Sequence, residues 1–253
     1  MINTYGTKYS TEASATAYDE VICQHENDPV WPAEQELLRG LIRRYVPKPA
    51  EARTLDFACG SGRILKVLQP VVGELVGLDI SAAMLERARV RVPGVSLVQA
   101  DIVANPEAVP GEFDIVTAFR FLLLAEPTLR EACLRVLASH VRADRGVLIL
   151  NSHGNPMSFR FVSSLCNTIL RRGTKLPRFS RQDMKNLASQ CGLDLVSTTG
   201  CGFIPRTVQR VLPASLCQYI ERAFAGFPLL LRFGTNLLFV LRPSSLNRGA
   251  LNG

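Results

Sequence analysis

The sequence predicts an α/β fold built on a doubly wound, largely parallel sheet, and three observations carry that prediction. Short apolar segments alternate with helical ones from Arg53 onward, the rhythm of strand–helix–strand units joined by right-handed crossovers. The first three of those segments each carry an aspartate at or near their end: Asp56, Asp79 and Asp101. The first of them also runs, through Ala58-Cys59-Gly60-Ser61-Gly62, into a turn of minimal side chains that opens a helix at Arg63.

Taken in order, residues 1–52 precede the sheet and read as two helical pieces, Thr11–Gln24 and Ala33–Tyr45, with Pro32 suited to the first turn of the second. Trp31, the only tryptophan, falls in a turn-rich junction, where an aromatic anchors a loop. Strands are expected near 54–58, 75–80, 95–100, 113–119 and 146–151, and helices near 63–70, 81–91 and 128–142. An irregular stretch follows to about Pro177, then a helix begun by Ser180 with Asp183 in its first turn, a strand over Leu193–Thr199 and a last strand over Asn236–Leu241. The expected organisation is an N-terminal helical segment over 1–52, one domain over 53–243 and a tail over 244–253. Two insertions, 153–179 and 203–232, fall where loops at the ligand-facing sheet end set specificity.

The glycine turn suits a nucleotide-like ligand. Backbone approaches a ligand closely only where side chains are absent, and a helix opening there offers unpaired N–H groups. Asp56 would repel a pyrophosphate and attract an ammonium. Asp79, after Leu75-Val76-Gly77-Leu78, suits a ribose diol, since a carboxylate accepts two O–H bonds from vicinal hydroxyls. Asp101 would accept from an adenine amino group while Ile102 packs on the ring. A nicotinamide dinucleotide would need a third glycine, and the register Ala58, Gly60, Arg63 puts a bulky cation there.

These motifs, L-D-x-x-C-G-S-G, G-L-D-I-S-x-x-M-L, Q-A-D and F-D-I-V-T-A, resemble those of the class I S-adenosylmethionine-dependent methyltransferases over roughly Arg53 to Asn151. The resemblance implies a Rossmann-like, seven-stranded mixed sheet whose last strand is antiparallel. It implies S-adenosylmethionine as cofactor, S-adenosylhomocysteine as product, and an N-terminal lid in which Tyr18 covers the cofactor. Asp56, Ala58, Gly60 and Gly62 would surround the methionine part, Asp79 the ribose, Ile80 and Met84 the adenine face, and Asp101 with Ile102 its edge; Phe119 would complete the site. Many members have glycine where this chain has Ala58, and a methyl there requires a negative φ.

Composition bounds the function. With 253 residues and 47% hydrophobic content the chain can bury a full α/β core. No signal sequence and no apolar run of about 20 residues is seen, so a cytoplasmic protein is expected. Seven cysteines without C-x-x-C pairs argue against a disulfide framework, and three histidines without metal spacing give a catalytic metal no home. The net charge of +7 is uneven: residues 1–150 hold 16 Lys and Arg against 19 Asp and Glu, while 151–253 hold 13 against 3. The densest basic group, Arg171, Arg172, Lys175, Arg178, Arg181 and Lys185, suits an anionic or phosphorylated acceptor, an acidic membrane surface, RNA, or plain solvation.

The expected activity is methyl transfer to a small-molecule or carbohydrate acceptor, at oxygen, by a monomer or homodimer. RNA methylation and a silent cofactor-binding role are the alternatives. Nucleic acid is disfavoured because Ala118-Phe119-Arg120-Phe121 replaces the N/D-P-P-Y/F tetrad that holds a flipped base. For a hydroxyl acceptor the candidate base is His153, with His25 next; His140 is expected to face solvent. Arg120, delivered by the fourth strand, can clamp a carboxylate or phosphate, or else pair with Glu126 or Glu131. Asp79→Ala is expected to weaken cofactor binding without altering the melting of the free protein.

Overall fold

A computed structural model of the chain describes residues 30–159, 178–209, 211–225, 227, 230 and 233–244, together with Glu12, Ala13, Thr16 and Ala17. Helix α1 spans Val30–Tyr45 and starts three residues earlier than the sequence suggests, so Trp31 sits in its first turn and not in a loop. Trp31, Glu34, Leu38, Leu41 and Ile42 recur at helical spacing and form its buried stripe. Strand β1 (Arg53–Phe57) leads to α2 (Arg63–Leu68), β2 (Glu74–Asp79) to α3 (Ala82–Arg91), and β3 (Ser96–Gln99) to β4 (Ile115–Ala118). Then come α4 (Pro127–His140), β5 (Val147–Ser152), α5 (Arg181–Gln190), β6 (Leu193–Cys201), the single turn α6 (Arg206–Gln209), α7 (Ala214–Ala225) and β7 (Asn236–Pro243).

The seven strands form one sheet in the order β3-β2-β1-β4-β5-β7-β6. Strands β1 to β5 are parallel to one another, while β7 runs antiparallel to both β5 and β6. Strands β4, β5 and β7 read as near-continuous apolar runs because both sheet faces are covered. On one face α4 and α5 deliver Leu134, Leu137, Met184 and Ala188 against Phe113, Leu148 and Phe239. On the other, α1, α2 and α3 deliver Leu38, Ile42, Ile64, Leu65 and Leu85 against Ile115, Ile149 and Val240. Local signals set the helix starts. Ser81 caps α3 by accepting from the Met84 N–H, and Ser180 with Asp183 forms a reciprocal capping box on α5.

The strand order fixes where a ligand can sit. The chain winds outward from β1 to β3, then returns to β4 on the other side of β1, so the carboxyl ends of β1 and β4 flank the point where the winding reverses. Ligands of open α/β sheets bind in the crevice at such a point. His140, expected at the surface, is instead buried on α4: its Nδ1 lies 2.8 Å from the Val136 carbonyl oxygen, its Nε2 3.1 Å from that of Pro106, and its ring stacks on Phe113. It ties α4 to the loop after β3 and is no candidate base. Among the described residues no helix is long and apolar enough to cross a membrane.

Candidate functional site

The turn after β1 is built from backbone in the left-handed region. Ala58 has φ +53°, Gly60 +53° and Gly62 +83°. The negative φ expected at Ala58 is thus overturned: the chain holds a methyl-bearing residue in a conformation that costs about 1–2 kcal/mol for an L-residue. It persists because neighbours determine it. The Cys59 N–H donates to the Leu78 carbonyl (3.0 Å) and the Gly60 N–H to Asp79 Oδ2 (2.8 Å), stapling the turn to β2. Gly62 meets a different demand from the one expected of it. A Cβ there would lie 3.2 Å from Ala88 and 3.3 Å from Val92, so this glycine lets α2 pack on α3.

Asp56 is fully buried in β1. Its Oδ1 accepts a 2.6 Å bond from the Thr117 hydroxyl of β4, while its Oδ2 is buried with no donor among the described residues. Burial, with a smaller contribution from the Asp79 charge, pushes its carboxyl up to about 7, against the Thr117 hydroxyl pulling it down. A buried carboxylate oxygen lacking a donor, beside a second acid, calls for a cation. Asp79 is buried too and its carboxyl is raised, chiefly by desolvation. Its Oδ1 accepts from the Ser81 N–H at 2.9 Å, so together with Gly60 the carboxylate bridges two loops. Asp101 shapes the turn after β3, accepting from the Val103 and Ala104 N–H groups at 2.9 and 3.3 Å.

These loops border a cleft open to solvent, lined by Phe57, Ala58, Leu78, Asp79, Ile80, Ala100, Asp101, Ile102, Phe121, Leu129 and Cys133. The structure therefore brings together Ala58, Asp79, Ile80, Asp101 and Ile102, with Asp56 directly behind the turn. It does not bring Met84 or Phe119 to the cleft. Met84 is buried at the start of α3, and Phe119 packs in the opposite layer with Trp31 and Ile149. Phe121 takes the place assigned to Phe119, meeting Phe57 edge to face at 5.0 Å. Two residues apart on a strand, Phe119 and Phe121 would share a face; the left-handed Arg120 between them, φ +59°, sends them to opposite layers. Leu129 and Cys133, four apart on α4, complete the wall, and burial pushes the Cys133 thiol up to about 12, leaving it a small apolar group.

Arg120 lies two residues beyond β4, its N–H donating to Asn151 Oδ1 at 2.6 Å. Among the described residues its Nε is buried without a partner and it forms no ion pair; Glu131 is taken by Arg135. His153 is half-buried one residue beyond β5. Tyr18, His25 and most of the N-terminal segment lie outside the described residues, as do Arg171, Arg172 and Lys175.

Three comparisons bear on this site. Residues 54–144 match a family model described as a methyltransferase domain. The chain is 29% identical over 199 residues to the dTDP-3-amino-3,6-dideoxy-alpha-D-glucopyranose N,N-dimethyltransferase of Streptomyces fradiae, covering 78% of this chain and 76% of that one. It is 31% identical over 166 residues to a trans-aconitate 2-methyltransferase of Methylobacterium nodulans, covering 61% and 63%. In fold it is like an S-adenosylmethionine-dependent methyltransferase structure from Thermotoga maritima, with TM-score 0.63, 17% identity and coverage of 92% and 98%. The seven-stranded sheet, with its antiparallel last strand, is thus the expected one. The methyltransferase-domain match, the methyltransferase relatives and the shared fold together support a class I S-adenosylmethionine-dependent methyltransferase, an enzyme whose cofactor is S-adenosylmethionine.

Proposed function

We propose that the enzyme methylates a small-molecule or carbohydrate acceptor, at oxygen, in the crevice between the ends of β1, β4 and β5. The observation that carries the donor half is the buried Asp56 Oδ2, which lies immediately behind a left-handed turn and meets no hydrogen-bond donor among the described residues. The residues fit the cofactor's parts. Asp56 holds the ammonium, the remaining lone pairs of Asp79 take the ribose hydroxyls, and Asp101 with Ile102 holds the adenine. Phe57 and Phe121 close an apolar wall that excludes water. When bound, S-adenosylmethionine supplies an electrophilic methyl group on a sulfonium.

What remains for the chain is to align the acceptor and take up a proton. Alignment alone supplies several kcal/mol to a bimolecular displacement. His153 removes the hydroxyl proton from the acceptor, a role typically worth 10²- to 10⁴-fold in rate. The relatives support a small acceptor, since their names specify a dTDP-linked amino sugar and trans-aconitate, both anions. The first also favours a second reading, methylation of an amino group, which needs no strong base once the amine is neutral.

A labelled-methyl assay over sugar hydroxyls, amino sugars and polycarboxylates separates these readings. Transfer to a hydroxyl acceptor that falls at least 100-fold in His153→Ala, with cofactor affinity unchanged, is the expected result. Full activity of that variant would exclude the base, and transfer confined to amines would establish the second reading.

A further inference from the structure

Among the described residues, the two non-glycine residues with positive φ are Ala58 and Arg120, and they flank the winding reversal from adjacent strands: β1 and β4 pair with Phe57 opposite Ala118. Backbone strain of this kind survives only where the surroundings hold it, and it clusters at functional sites. At Arg120 the holding group is Asn151, at the end of β5. Its Oδ1 accepts from the Arg120 N–H at 2.6 Å, and its Nδ2 donates to Glu34 Oε1 at 2.8 Å.

Glu34 reaches this point from α1, 117 residues away in the chain, and is only 1% exposed. A carboxylate is retained in such a place only when it is neutralised and hydrogen-bonded. Here Arg63, the first residue of α2, approaches it to 3.8 Å while lying 4.0 Å over the Trp31 ring, and Asn236 of β7 donates to it at 3.4 Å. Three elements, α1, α2 and β7, therefore converge at Glu34 to fix one amide of β5, and that amide fixes the backbone of one arginine. Among the described residues, the arginine itself is left with a buried Nε that no acceptor meets and no ion pair to balance its charge. A planar guanidinium in that position is suited to carboxylate or phosphate oxygens.

We infer that Arg120 binds an anionic group of the acceptor, carboxylate or phosphate, and that Glu34, acting through Asn151, is the positioning residue that holds it there. The inference rests on the proposed reading that a small acceptor occupies this crevice, and it makes α1 part of the acceptor site. A neutral sugar or a simple amine would leave the guanidinium without its partner and bind poorly.

The test is calorimetry on protein saturated with S-adenosylhomocysteine, with citrate in one arm and inorganic pyrophosphate in the other, which separates the two anion chemistries. At least one anion is expected to bind with 1:1 stoichiometry. R120A should weaken it tenfold or more and R120K several-fold, since lysine keeps the charge without the fork. E34A and N151A should each weaken it three- to tenfold, with S-adenosylhomocysteine affinity kept within threefold. In the double variant E34Q/N151D the amide introduced at position 34 donates to the carboxylate introduced at position 151. That carboxylate still accepts from the Arg120 N–H, so anion affinity should recover to within threefold of wild type. A merely structural role would not give that rescue. Failure of both anions to bind, unchanged binding in R120A, or loss of anion and cofactor affinity in parallel in E34A would overturn the inference. Failure to bind S-adenosylhomocysteine at all would instead count against the donor site, so the two failures are told apart.

Discussion

The two left-handed turns that flank the winding reversal are strained alike and held differently. At Ala58 the support is local in the chain: the turn's own N–H groups reach Leu78 and Asp79 on the adjoining strand. At Arg120 the support comes from Asn151 and, beyond it, from Glu34. The side chains differ as well. Ala58 contributes only a methyl group to the cleft wall, so its strain comes with the backbone path, whereas Arg120 carries a charged group whose Nε has no partner among the described residues. A turn that binds through backbone can tolerate any small residue; one that presents a side chain needs that side chain and a brace behind it.

The largest effect should come from removing the staple of the first turn. Asp79→Ala leaves the buried Gly60 and Ser81 N–H groups without an acceptor, at about 1–3 kcal/mol each. The ligand-free protein should lose about 3 kcal/mol in chemical denaturation, with cofactor affinity falling as well. The geometry thus corrects the expectation of an unchanged melting curve. Normal stability in this variant would show that the turn is held otherwise. Next is the brace of the second turn. Asn151→Ala removes the acceptor for Arg120 and a donor to Glu34, and about 2 kcal/mol should be lost. An equal loss of cofactor and acceptor affinity would break the distinction between the turns.

The pH dependence sharpens the donor side. A carboxyl raised from 3.8 to about 7 by folding stabilises the free protein fully below about pH 4, and that contribution is lost as pH rises toward 7. Binding of an ammonium requires the ionised form, so its dependence has the opposite sign. Cofactor affinity should rise about five- to sixfold between pH 6 and 7.5, then fall as the α-amino group itself deprotonates near about 7.7–8.0. In Asp56→Asn the rise should vanish, and an unaltered profile would remove Asp56 from the ammonium site.

The smallest effect compares the turns directly. Glycine relieves left-handed strain but gains freedom when unfolded, so Ala58→Gly and Arg120→Gly should each stabilise the free protein by about 0.5–1 kcal/mol. The first should keep turnover and the second should lose acceptor binding. Destabilisation by Arg120→Gly would mean that its side chain is there for packing.

The same contrast explains what is legible in the sequence. Asp56, Asp79 and Asp101 lie at the ends of apolar strands, and Gly60 and Gly62 follow Asp56 within six residues, so one pass along the chain finds the donor site and the sheet that bears it. Asn151 and Glu34 carry no such mark. A glutamate in an amphipathic helix reads as surface, and only the tertiary fold buries it among Arg63, Asn151 and Asn236. The exchange of Phe119 for Phe121 has a related cause, since alternation along a strand fails where one residue turns left-handed, and no residue type at Arg120 announces that. His140 misleads because a polar residue late in an amphipathic helix is ordinarily solvated, whereas here two carbonyl oxygens meet its ring.

The division between the turns is tested most directly by titrating S-adenosylhomocysteine into wild-type protein, Asp56→Asn and Arg120→Ala at pH 7.5. The account predicts a tenfold or greater loss of affinity in Asp56→Asn and a change of less than threefold in Arg120→Ala. Equal losses in both variants, or none in Asp56→Asn, would contradict it.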